Sequence, residues 1–193
     1  MNTTPSDLPA GEMTAQELER VYVPGKSTEL VRGRLLVREP PGTAHGRMAG
    51  TLTYLVSAFV RRHELGFVFA QDTGFRIESN PDTVRAADLA FVTRDRGPAL
   101  PLRGYASLAP DLIAEIVSPD DRPGEVLDKI AAWLEAGVRL AWVIDPGRAT
   151  AQVYRRDGSV SLVAADGVLD GEDVLPGFTC SLAEVTETAG SAP

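Results

Sequence analysis

Cysteine and histidine are almost missing from this chain of 193 residues, which has one Cys, Cys180, and two His, His45 and His63. A single thiol forms no internal disulfide, and so few thiols and imidazoles build no zinc cluster. If a metal is bound, hard oxygen ligands remain, and with them magnesium or manganese. Long apolar runs are lacking too. Nothing approaches the roughly 18 to 20 residues that span a bilayer, and no basic segment followed by an apolar one opens the chain. A cytoplasmic protein without membrane contact is expected. Glycine-rich phosphate loops of the dinucleotide or Walker type are absent, which removes NAD, FAD and ATP as expected cofactors. Positive charge is in deficit, with 19 Lys and Arg against 27 Asp and Glu and a net charge of −8. That works against a polyanionic partner, because nucleic-acid affinity comes largely from cations that neutralise phosphates.

Apolar residues make up 44% and charged residues 24% of the chain, an ordinary balance for a soluble globular protein. The length suits one domain, expected over 13–186, with tails at 1–12 and 187–193 that have little to bury and are expected to fray. Arginine clusters at Arg32, Arg34, Arg38 and Arg47 and again at Arg61 and Arg62. These read either as solvated faces of a hairpin and a helix or as segregated positive charge.

The most telling presence is a charge where a sheet core belongs. Pro110 to Pro119 reads PDLIAEIVSP, with Glu115 in the middle of a run that is apolar on both faces, the pattern of a central strand. A carboxylate there is costly unless it is paired or holds a metal. Asp88 interrupts a similar stretch in RAADLAFV, and Lys129 lies on the segment after Glu115. Two carboxylates and a lysine set in or beside apolar sequence make a candidate metal-dependent hydrolytic site.

Periodicity places these residues. Met13 to Val21 reads as a short helix, with Thr14 as N-cap and Glu17 at capping-box spacing. Glu29 to Val31 and Arg34 to Val37 form a hairpin about Arg32-Gly33, the glycine supplying positive φ. His45 to Leu65 is apolar at helical spacing and predicts a long helix packed on the sheet. Phe67 to Ala70, Phe75 to Ile77 and Asp88 to Val92 are expected strands, Thr93 to Pro110 a loop, and Leu112 to Val117 a buried strand. Gly124 to Ala136 reads as a helix, and Leu140 to Ile144 as a second buried strand. A strand, helix, strand order of this kind predicts a parallel crossover. Ala151 to Arg155 and Val160 to Ala164 make a terminal hairpin, and Leu175 to Val185 closes the chain. The fold class is mixed α/β, a central mixed sheet flanked by helices with hairpins at both ends.

On the helix from Gly124, Val126, Ile130, Trp133 and Leu134 define the apolar stripe, and Lys129 falls at its edge. Asp128 and Glu135 point away, so Lys129 is the charge oriented to meet Glu115. On the residues alone, a partly buried structural ion pair is the commoner outcome of such an arrangement. Trp133 and Trp142 read as core residues, and Asp72, Asp111 and Asp145, beside turns or proline, as turn and capping residues.

The run PDLIAEIVSP, then Lys129, then GVRLAWVIDP, resembles the Uma family of restriction-endonuclease-like proteins, a branch of the PD-(D/E)XK nuclease superfamily. TELVRGRLLV, His45, RAADLAFV and VLDGEDVLPGFTCSLAEV extend the resemblance over roughly Met13 to Val185. It implies a restriction-endonuclease-like fold and a magnesium- or manganese-dependent endonuclease that hydrolyses DNA and leaves a 5′-phosphate. Asp88 and Glu115 would hold the metal with the Ile116 carbonyl, and Lys129 would orient the attacking water. Glu29 and His45 are further site candidates by their placement in the family. One departure stands out: two residues after Glu115 is Val117, not lysine, so the lysine role passes to Lys129. A homodimer is expected, as superfamily nucleases that cut both strands often work in pairs. Two rival readings stand beside this one: a nuclease-fold module that binds nucleic acid or protein without cutting, and a hydrolase using the two acids without metal.

Overall fold

A computed structural model describes residues 11–119 and 121–186. The frayed ends expected at 1–12 and 187–193 lie outside the described residues, apart from Gly11 and Glu12. In chain order the elements are α1 (Ala15–Leu18), β1 (Ser27–Val31), β2 (Arg34–Arg38), α2 (Thr43–His63), β3 (Gly66–Ala70), β4 (Gly74–Glu78), β5 (Thr83–Ala86) and β6 (Leu89–Thr93). There follow β7 (Leu112–Ile116), α3 (Pro123–Glu135), β8 (Leu140–Asp145), β9 (Thr150–Arg155), β10 (Val160–Val163), β11 (Val168–Asp170), β12 (Thr179–Ser181) and α4 (Leu182–Thr186). No helix among them is long and apolar enough to cross a membrane.

Two main sheets and a two-stranded ribbon, β11-β12, form among the described residues. The smaller is four-stranded and antiparallel, in the order β2-β1-β5-β4. Its first turn has Arg32 and Gly33 at φ 47° and 73°. Two left-handed residues in succession give the turn whose twist suits a hairpin. The larger sheet is six-stranded, in the order β10-β9-β8-β7-β6-β3. Within it β7 and β8 pair in parallel across α3, with Glu115 opposite Val143, while the other pairs are antiparallel. The chain passes directly from one sheet to the other between β5 and β6, through Ala87 and Asp88.

Strict alternation along the central strands divides the core. Leu89, Phe91, Leu112, Ala114, Ile116, Leu140 and Trp142 face one side, where they pack against α2 and α4. Ala90, Val92, Ile113, Ala141 and Val143 face the other, against Ile130 and Trp133 of α3. Both faces of β7 are covered, so all five of its residues are buried. A third, smaller cluster joins Ala15 and Leu18 of α1 to Leu30 and Val84.

Several expectations need adjusting. The helix predicted at 13–21 closes after Leu18, because α1 has one turn to bury; its capping box nonetheless forms, with the Thr14 N–H donating to Glu17 Oε2 at 2.8 Å and the Glu17 N–H to Thr14 Oγ1 at 3.3 Å. β5 is absent from the sequence reading, since four residues with an arginine among them give too brief an alternation. The segment read as a loop after Thr93 contains a 3₁₀ helix at Arg94–Ala99. Arg96 anchors it, pairing with Asp111 Oδ1 at 2.9 Å and donating to the Ala109 carbonyl at 2.8 Å. Asp111, expected as a turn and capping residue, is a buried tie; its Oδ2 also accepts from the Thr93 N–H at 2.9 Å. The closing segment comprises β12 and α4, and β12 pairs with β11, which the sequence reading lacks.

Candidate active site

The C-terminal end of β7 brings the singled-out residues together. Because Glu115 shares the face of Ile113, it points toward α3, and α3 presents Lys129 and Trp133 to it one turn apart. Lys129 Nζ lies 2.9 Å from both Glu115 Oε1 and Oε2, although 14 positions separate the two residues. Trp133 Nε1 donates to Glu115 Oε1 at 3.2 Å. A residue read as plain core thus has one edge committed to the buried carboxylate.

Asp88 lies one residue before β6, at the crossing between the sheets, and not on the strand itself. Its Oδ2 accepts from the Ile116 N–H at 2.7 Å, which fixes the carboxylate against the end of β7. His45, in the first turn of α2, approaches from the opposite face. Its Nε2 is 3.0 Å from the Ile116 carbonyl and 3.2 Å from Asp88 Oδ2. Both neighbours are acceptors, so Nε2 carries the hydrogen. The hydrogen bond to Asp88 chiefly holds the His45 pKa above its ordinary value, against the opposing effect of burial.

Glu29 closes the arrangement from the smaller sheet. Its Oε1 accepts from the Ala86 N–H at 2.9 Å and lies 3.6 Å from Lys129 Nζ, and its Oε2 accepts from Arg85 Nη1 at 3.0 Å. Burial pushes this carboxyl upward, but Lys129 and Arg85 outweigh it and hold the pKa below the usual value. Arg85 is the residue the sequence reading missed. Its signal was the one that flagged Asp88 and Glu115, a charge inside an apolar alternation, here TVRAADLAFV.

These groups line a cleft of about 270 Å³ between the two sheets and the start of α3, with Arg38 paired to Glu125 at 3.2 Å among its lining residues. Inside, burial lifts the Glu115 pKa to about 7, and the Asp88 and Glu29 charges add to the lift while Lys129 opposes it. Lys129 itself is pulled down by burial and pulled up more strongly by Glu115 and Glu29, so it stays protonated. More carboxylate is gathered than the resident cations offset. Among the described residues, no three His, Cys, Asp or Glu side chains form a metal-holding group. A divalent ion would rest on two carboxylates, Asp88 and Glu115, and the Ile116 carbonyl. This all-oxygen donor set with surplus negative charge fits magnesium or manganese. Val117, two residues after Glu115, supplies no charge.

A family model described as "Putative restriction endonuclease", Uma2, matches residues 15–183. The chain belongs to the Uma2 family. A solved structure from Anabaena variabilis ATCC 29413, described as "a putative nuclease belonging to DUF820", has the same fold as this Uma2 chain, with a TM-score of 0.77 over 90% of this chain and 97% of the other. The two share 20% sequence identity, so the likeness is one of fold. No curated protein matches the chain in sequence.

Proposed function

We propose that the protein is a divalent-cation-dependent endonuclease that hydrolyses phosphodiester bonds in DNA and leaves a 5′-phosphate. The observation that carries this reading is the approach of Lys129 Nζ to 2.9 Å of Glu115, beside an Asp88 that bonds the next residue of the same strand. Separate stretches of sequence bring two acids and a lysine to one cleft, the groups that the proposed hydrolysis uses. Membership of the family described as "Putative restriction endonuclease" supports the assignment, and so does a shared fold with the protein described as "a putative nuclease".

Asp88, Glu115 and the Ile116 carbonyl would hold magnesium or manganese. When bound, the ion would supply Lewis acidity toward the phosphodiester and ease loss of a proton from water. Lys129 keeps its protons on Nζ and donates to the attacking water or to the phosphoryl oxygens, offsetting charge that grows in the transition state. His45 steadies Asp88 and the Ile116 carbonyl by donating from Nε2. The water oxygen bonds to phosphorus as the bond to the 3′ oxygen breaks, the attacking water giving up its proton to solvent and the departing 3′ oxygen taking one from solvent. Cutting both strands of a duplex with one such cleft per chain calls for two copies, so the working form is proposed to be a cytoplasmic homodimer.

The test is cleavage of supercoiled and single-stranded DNA with magnesium, manganese or chelator, in wild type, Asp88→Ala and Lys129→Ala. Metal-dependent cutting by wild type, lost in both variants, is expected. A second reading, a nuclease-fold module that binds without cutting, is favoured by the net charge of −8 and by Glu39, Asp72, Asp121 and Glu125 on the cleft walls. No cutting by wild type on any DNA, with no manganese binding by calorimetry, decides for that module.

A further inference from the structure

We infer that Arg85 is a positioning residue that acts through Glu29 to hold the Lys129 ammonium against Glu115. Its meaning for catalysis rests on the nuclease reading; the restraint itself does not.

A lysine two places after an acid on the same strand is aimed by the strand. Here that place is taken by Val117, and the ammonium arrives on a four-carbon stem from a helix, with many rotamers to lose. One carboxylate on one side does not fix such a group. The second contact is Glu29 Oε1, 3.6 Å from Lys129 Nζ and on a different sheet from Glu115. Glu29 in turn cannot swing away, because β5 grips both of its oxygens: the Ala86 N–H at 2.9 Å and Arg85 Nη1 at 3.0 Å.

Arg85 is itself informative. Its side chain is only 8% exposed, unusual burial for an arginine. Its Nε is buried and has no hydrogen-bond partner. A donor left unsatisfied in the interior is a cost, which the Glu29 contact has to offset. The guanidinium is thus placed for Glu29 at the expense of its own hydrogen bonding. Arg85 also sits three residues before Asp88, so one stretch of chain sets both the acid and the anchor of the lysine.

The experiment follows the Lys129 ammonium directly in ¹⁵N-labelled protein without metal, its resonance identified by its loss in Lys129→Arg. Hydrogen exchange at Nζ is expected to quicken by about tenfold or more in Arg85→Met and in Glu29→Gln, the scale of one lost hydrogen bond to a charged group. The double variant should be no faster than either single one, because both act on one restraint. Arg85→Lys, which keeps the charge, should recover part of the protection. With DNA and magnesium the same variants should lose kcat while keeping KM. Unchanged exchange in a folded Arg85→Met overturns the inference. If that variant does not fold, Arg85→Lys decides: exchange between that of wild type and that of Glu29→Gln is expected, and exchange equal to wild type overturns the inference. If wild type cuts no DNA, the nuclease reading falls, and the exchange rates alone decide the anchor.

Discussion

Glu115 binds its proton more tightly in the folded chain, at about 7, than in the unfolded chain, where it titrates near 4.5. Its contribution to stability is therefore full below pH 4.5 and is lost as pH rises to about 7, on the order of 3 kcal/mol. His45, also raised, acts in the same sense at higher pH, and Glu29, lowered, titrates beneath this window. Urea unfolding in chelator should accordingly show a midpoint that falls across this range, with Glu115→Gln flattening the decline; an unchanged slope in that variant would refute the assignment. Trp133→Phe removes the donor to Glu115 Oε1 and should cost about 2 kcal/mol in the same assay at neutral pH. At this scale the candidate site was partly legible. Asp88 and Glu115 announced themselves as charges inside apolar runs, and helical spacing aimed Lys129 at the sheet. Trp133 did not, because a core tryptophan and one that also donates a hydrogen bond have the same periodicity. The pairing of Arg85 with Glu29, 56 positions away, exists only once β1 and β5 lie side by side.

Elements with a long or two-sided apolar signal were legible: α2, β7, α3 and β8 lie within two residues of their expected bounds. Those defined by their neighbours were not, as with β5, which takes its strand form from pairing with β1 and β4. Two substitutions probe what holds the elements. Leu52, fully buried on the α2 face, should cost about 2–5 kcal/mol when changed to alanine, read from denaturant unfolding. Gly66 opens β3 opposite Thr93, and a Cβ there would sit 2.2 Å from the Val92 carbonyl oxygen. Gly66→Ala should detach this end of the edge strand, seen as faster amide exchange in β3 with β7 and β8 unaffected; equal protection in both proteins would refute the close approach.

For the whole molecule, a net charge of −8 and acids along the cleft work against binding of a polyanion, so on the proposed nuclease reading a divalent ion would have to offset the phosphate charge. On that reading, DNA binding followed by fluorescence anisotropy at physiological salt should be weak in chelator and tighten by about tenfold or more with manganese, whose charge would add to that of the side chains. Equal affinity in both conditions would speak against a cation in the cleft. That Lys129 reaches Glu115 from a helix, and not from β7 itself, also bears on which lengths of chain are free to vary. Between β7 and α3, over 117–122, residues can be gained without turning Lys129, because the helix re-enters at the same angle. Between Pro123 and Lys129 not one can, since a single added residue swings the ammonium by about 100° around the axis. Insertions among relatives should gather in the first stretch and avoid the second.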